Sequence, residues 1–221
     1  MTKKLLLMLL TLACASYVLQ AAPCASDTLA NYIAGPGCTI DGLFFDHFAY
    51  TNPSSGGGIS PDATGVDVTP VTMGSEVGFT FTASWLAASG QTSDGNIAYS
   101  ATCVTCMITD LELAMDGIGM GTGVASVAET STSPVVALGT SSSLGFTKLT
   151  DSTTFSPVGS ITLTKDIGAS GGTAGVGHVS AVTNLFSTNT SVPEPSLFLL
   201  SLGFVALVPV ARKKFGRQAS V

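Results

Sequence analysis

The sequence predicts an all-β body, an antiparallel β-sandwich or jelly-roll-like domain, set between an N-terminal signal peptide and one short C-terminal transmembrane helix. Three observations predict it. Apolar residues recur at every second position, as in Val77, Phe79, Phe81, Ala83 and Trp85, with Gly, Ser or Thr between them; that is the period of a strand with one buried face. Gly, Pro, Asn, Asp and Ser cluster between such runs, as turns require. Charged residues are 10% of the 221 and hydrophobic residues 45%, so a core can form but the Glu-, Lys- and Ala-rich blocks of a helical bundle are missing.

Residues 1–21 read as a secretory signal peptide. Lys3 and Lys4 form a positive n-region, Leu5 to Leu12 an apolar h-region, and small residues follow. Cleavage is expected after Ala21, because a cut after Ala22 would leave Pro23 next to it; a cut after Ala15 is the alternative. Residues 27–34 suit one or two helical turns. Beyond the 77–85 run, strands are expected at Val66 to Val68, Ile97 to Tyr99, Ile108 to Leu113, Val124 to Val127, Val135 to Leu138, Ile161 to Leu163 and Val176 to Val182. The body is residues 22–182. Residues 183–191, rich in Asn, Ser and Thr and including Asn184, read as a polar stalk.

The C-terminus has three parts in order: Val192-Pro193-Glu194-Pro195-Ser196, a charge-free run from Leu197 to Ala211, and the basic residues Arg212, Lys213, Lys214 and Arg217. The two prolines fix φ and bias their neighbours to extended backbone, so the motif cannot join the helix after it. The apolar run is about 22 Å long as a helix, short for a permanent span but sufficient for a temporary hold beside a stop-transfer cluster. Positive residues stay cytoplasmic, which leaves the body on the other side of the membrane.

This arrangement resembles the PEP-CTERM sorting signal of Gram-negative bacteria, here covering residues 192–221. The resemblance implies recognition by an exosortase, a cut at or near Pro193-Glu194-Pro195, and delivery to the cell envelope, surface or extracellular matrix. The stretch from Cys38 to Tyr50 is also similar to the bodies of PEP-CTERM cargo proteins, in which a Cys and a short aromatic strand open a β-rich domain.

Charge limits the partners. Residues 22–191 hold two basic residues, Lys148 and Lys165, against thirteen acidic ones, a net charge of −11. Such a body repels phosphate backbones, so nucleic acid is excluded as a partner. The exported chain keeps Cys24, Cys38, Cys103 and Cys106, an even number that reads as disulfides. Four cysteines allow three pairings; locality favours Cys24–Cys38 and Cys103–Cys106. The second pair closes a tiny loop around Val104-Thr105, two residues poorly suited to a tight primed turn. A redox role for Cys103 and Cys106 needs a following helix, whereas a strand pattern follows. A zinc site would need a second ligand pair, and Cys24 and Cys38 are too far apart to form one knuckle.

Other candidates for chemistry meet similar objections. Gly168-Ala169-Ser170-Gly171-Gly172 has the nucleophile-elbow spacing, with His178 nearby, but no acid follows Ser170 and the context is a Gly-rich loop. The glycines at 117, 119, 121 and 123 lack dinucleotide-binding register and a following helix. Asp41, Asp46 and His47 could form a metal or acid–base cluster, and Asp110, Glu112 and Asp116 a calcium site, but each set also fits a solvated strand. Trp85, the only Trp, falls on the core phase of its strand and not on a sugar-binding platform.

The leading expectation is therefore an exported surface or matrix protein with no catalytic residue, metal or cofactor. Its transient partners are the secretion translocon and an exosortase, and it contacts the membrane before processing. The alternative is a carbohydrate-binding β-sandwich module associated with exopolysaccharide; a third reading is an envelope hydrolase using Ser170 or an acidic pair.

Overall fold

A computed structural model describes residues 21–53 and 56–189. The signal-peptide core, the sorting motif, the apolar run and the basic tail, as predicted from sequence, lie outside the described residues. Among the described residues no helix is long and apolar enough to cross a membrane.

The chain runs through β1 (Asp27–Thr28), α1 (Leu29–Ala34), β2 (Cys38–Ile40), β3 (Leu43–Thr51), a 3-10 turn (Ala63–Gly65), β4 (Asp67–Met73) and β5 (Glu76–Ala87). It continues through β6 (Thr92–Cys103), β7 (Met107–Met120), β8 (Val124–Thr132), β9 (Val135–Ser143), β10 (Phe146–Lys148), β11 (Thr150–Val158), β12 (Ser160–Ser170) and β13 (Val176–Asn189). One sheet has the order β1-β4-β5-β13-β7-β11 and the other β10-β9-β8-β12-β6-β3-β2, with every strand antiparallel to its neighbours. Aromatic side chains from both sheets meet between them, which makes the body a two-sheet sandwich.

Strand alternation sets this packing. Along β6 burial switches at every residue, sending Ile97, Tyr99, Ala101 and Cys103 inward. The opposing sheet contributes Val77, Phe79, Phe81 and Trp85 from β5 and Val179, Val182 and Phe186 from β13. Phe45 and Phe79 pack edge to face at 4.8 Å, and Phe48 stacks on Tyr99 at 5.2 Å, geometries that suit ring quadrupoles. Trp85 is fully buried, and its indole N–H donates to Tyr50 Oη at 3.3 Å. Gly95 makes room for it, since a Cβ there would fall on Trp85 Nε1.

Local chemistry fixes the connections. α1 starts at the N-cap Thr28, whose Oγ1 accepts from the Asn31 N–H at 3.4 Å; buried Leu29 anchors it, and Gly35-Pro36 follow its end. β2 and β3 are joined by Asp41-Gly42, both at positive φ (44° and 88°), the backbone of a type I′ hairpin turn. β3 carries a bulge between Asp46 and Ala49, with His47 at φ 55°. The extra residue changes the phase of burial, so Phe48 points into the core after Leu43 and Phe45.

One sequence expectation changes. Residues 183–189 are not a stalk, because β13 continues through them to Asn189, pairing with β7 throughout and with β5 as far as Ser187. Their polar composition misleads because Asn184 is satisfied inside the core. The Val104-Thr105 loop, poorly suited to a tight primed turn, crosses from one sheet to the other, since β6 and β7 belong to different sheets.

Candidate functional site

The inward faces of β8 and β12 bring two charged side chains into a largely apolar interior. On β12, Ile161, Leu163, Lys165, Ile167 and Ala169 point inward, and on β8, Ala125, Val127, Glu129 and Ser131 do so. Lys165 and Glu129 lie directly opposite each other in the ladder. Both are completely buried, and Lys165 Nζ stands 2.6 Å from Glu129 Oε2. A buried charge without a partner is prohibitively costly, so cross-strand register is what permits this pair.

The opposite sheet completes the cluster. Asn184 of β13, fully buried, accepts at Oδ1 from Lys165 Nζ and from the Tyr99 hydroxyl, the latter at 2.6 Å. Its amide donates to Glu129 Oε1 at 3.0 Å and to the Glu112 carbonyl at 2.8 Å. Lys165 Nζ also donates to Tyr99 Oη at 3.2 Å and lies 4.4 Å from the Tyr99 ring centroid and 5.7 Å from that of Phe81. Gly78 lets β5 approach β13 closely here, since a Cβ would fall on the Asn184 carbonyl oxygen. Burial pushes the Lys165 amine below its ordinary range, against the pull of the Glu129 carboxylate. Burial also drives the Tyr99 hydroxyl well above its ordinary range, helped by the Glu129 charge.

The cysteines pair as locality favours. Cys24–Cys38 ties the N-terminal segment to β2 with Cα atoms 4.9 Å apart, and Cys103–Cys106 spans the crossing between the sheets at 5.3 Å. Ala21, the residue before the expected cleavage point, offers its carbonyl to Thr39 Oγ1 at 3.2 Å. Beside the disulfides lies an open groove of about 1090 Å³ whose lining includes Thr39, Ile40, Phe44, Pro70 and Val104.

The remaining candidates are dispersed. Asp41 serves the β2–β3 turn, while Asp46 meets the exposed His47 at 2.8 Å. His178 faces Ser84 at 3.2 Å, and the Ser170 hydroxyl accepts from the Gly172 N–H at 3.3 Å, so no nucleophile–base contact forms between Ser170 and His178. Asp110 and Glu112 do share a shallow cleft, with Glu76, but Asp110 accepts from the Ser187 N–H and Glu76 from the Ser187 hydroxyl. Asp116 is exposed further along β7. Among the described residues no group of three or more His, Cys, Asp or Glu side chains is placed to hold a metal.

Sequence reasoning missed the buried cluster. Its signal was phase: Lys165 sits four residues after Ile161 and two before Ile167 on the core-facing positions, and Glu129 sits two after Val127. An inward Lys and an inward Glu on strands of one sheet call for each other.

The described residues define a disulfide-clamped antiparallel β-sandwich with a buried charge cluster bridging its two sheets. No protein-family model matches the sequence, and no curated protein matches it. Among solved structures, the chain is similar to the enzymatically active domain of bacteriophage CBA120 tailspike protein 4, at 14% identity and a TM-score of 0.25, covering 63% of this chain and only 19% of that one. It is also similar to a family 29 carbohydrate-binding module variant complexed with mannohexaose, at 14% identity and a TM-score of 0.19, over 63% of this chain and 92% of that one. A further family 29 carbohydrate-binding module matches at 15% identity and a TM-score of 0.19, over 64% and 89% of the two chains. Scores this low carry no argument about the present chain.

Proposed function

We propose that the chain is a non-enzymatic exported protein of the cell surface or extracellular matrix. A cleaved signal peptide sends it across the inner membrane of a Gram-negative bacterium, and the Val192-Pro193-Glu194-Pro195-Ser196 motif, with its apolar run and basic end, presents it to an exosortase. The observation that carries this reading is the Cys24–Cys38 disulfide, which closes the N-terminal segment onto β2 immediately after the expected signal cleavage point. Such bonds persist in oxidising, extracytoplasmic compartments. The test is the mass and location of the mature protein. It is expected outside the inner membrane, beginning near Ala22 and lacking Leu197 to Val221. A mature form that keeps this tail would make it a plain membrane anchor.

A second reading, polysaccharide binding, is favoured by the groove beside the disulfides. Phe44 and Ile40 supply an apolar lining there, and Thr39 and Asp41 supply polar groups, the mixture that ligand clefts use. Affinity electrophoresis through gels containing the producing cell's exopolysaccharide tests it. Retardation that disappears in Phe44→Ala supports the reading, and equal mobility of the two proteins with and without polysaccharide removes it.

A further inference from the structure

The Lys165–Glu129–Asn184 cluster has the parts of a reaction as well as those of an ion pair. Lys165 supplies an amine and Asn184 a carboxamide, and the amine touches the carboxamide oxygen. The Glu129 carboxyl spans both, with Oε2 at 2.6 Å from the amine and Oε1 at 3.0 Å from the amide nitrogen. Tyr99 donates to the same carboxamide oxygen at 2.6 Å, where negative charge would gather during attack. None of the four side chains is exposed to solvent. Neither the sorting reading nor the polysaccharide reading uses this site.

We propose that Lys165 and Asn184 become joined by an intramolecular isopeptide bond, with Glu129 as the catalytic proton carrier. Glu129 first takes a proton from the Lys165 ammonium, leaving a neutral amine and a carboxylic acid. The Nζ lone pair attacks Asn184 Cγ while the Tyr99 hydroxyl stabilises the charge on Oδ1. Glu129 then relays a proton from Nζ to Nδ2. The Cγ–Nδ2 bond breaks, ammonia leaves, and an Nζ–Cγ amide remains. One C–N bond is made and one is broken, and nothing is oxidised or reduced.

The surroundings favour this chemistry. Burial disfavours the ammonium form of Lys165 and so raises the share of nucleophilic amine. Register fixes the reacting groups, since β8 and β12 pair Glu129 with Lys165 and β13 holds Asn184 between β5 and β7. Such positioning replaces a bimolecular encounter. Tyr99 and Phe81 stand against the amine, and the buried setting keeps out water that would compete as nucleophile. The product links the two sheets covalently through their centre, whereas the disulfides act at the edge and at a crossing loop. An exported sandwich with this link resists unfolding even when its disulfides are reduced.

Proteolysis of the reduced, denatured full chain followed by mass spectrometry tests the proposal. Thermolysin cuts before apolar residues such as Ile167 and Val176, which separates Lys165 from Asn184 in an unlinked chain. A branched product is expected, containing both segments and lighter than their sum by one ammonia. Trypsin should cut after Lys148 and fail to cut after Lys165. In Glu129→Gln, which keeps the side-chain shape but cannot relay the proton, linking should slow by about a hundredfold or more, with circular dichroism verifying that the β-structure is intact. A wild-type chain with both segments at full mass and a tryptic cut after Lys165 would overturn the proposal and leave an inert buried ion pair. If folded Glu129→Gln links at the wild-type rate, the proton relay as written is overturned. If that variant does not fold, the wild-type masses decide alone.

Discussion

The body has two lysines, and they occupy opposite environments. Lys148, at the end of the short edge strand β10, is 46% exposed and meets Asp151 at 2.8 Å across the β10–β11 connection. Lys165 meets Glu129 at 2.6 Å with no exposure at all. The distances are nearly the same, but the consequences differ, because water screens the first pair and is absent from the second. Distance alone therefore says little about an ion pair. What matters is what surrounds it when one partner is removed.

Removing Lys165 should have the largest effect. Lys165→Met strands the Glu129 carboxylate in the core, which costs about 3–5 kcal/mol before any loss of the covalent link. Replacing both residues, as Lys165→Met with Glu129→Leu, should recover much of that, and chemical denaturation of the single and double variants measures the difference. Trp85→Ala, which empties a fully buried site without touching the charges, should cost about 3–5 kcal/mol; a near-neutral result would contradict its place in the core. Cys38→Ser opens the loop closed by the 14-residue separation of Cys24 and Cys38 and should cost about 3 kcal/mol in the chain-entropy view, read as a lower melting temperature.

Lys148→Met should have the smallest effect, below about 1 kcal/mol. Its trace should show in the pH dependence of stability. The Lys148 ammonium and the Gly139 N–H hold the Asp151 carboxyl below the usual carboxylate range. A carboxyl with a depressed pKa contributes its stability above the ordinary Asp value of about 3.9, and loses it as pH falls through the lower folded-state value. Lys148→Met should therefore lower the melting temperature slightly at neutral pH, and the difference from wild type should vanish in acid. An equal difference at both pH values would remove Asp151 from the explanation.

The sequence made much of the sandwich legible, because alternation reports directly which face of a strand is buried. The runs at 77–85, 97–99, 108–113, 124–127, 135–138, 161–163 and 176–182 all fall within strands, and the short helix lies where residues 27–34 suit one. Alternation fails where the apolar signal is absent. β11 is an edge strand mostly of Thr, Ser and Asp, with apolar Phe155 and Val158 three residues apart and Pro157 near its end, and an edge strand exposed on alternate residues needs no apolar run. It fails again where a bulge changes the phase, as at His47. Composition misled most at Asn184, since a polar segment looks like a stalk until its hydrogen-bond partners are known. The buried cluster was hidden for the same reason: its partners come from β6, β8, β12 and β13, which lie far apart in the chain.

Amine labelling of the two lysines, native and then unfolded, tests the central claim most directly. In the native protein, reductive methylation should modify Lys148 and spare Lys165, as their exposures dictate. After reduction and full denaturation Lys148 should label completely, whereas Lys165 should remain unmodified because its nitrogen is already an amide. Complete labelling of Lys165 in the unfolded chain would contradict the account and reduce the cluster to a buried ion pair.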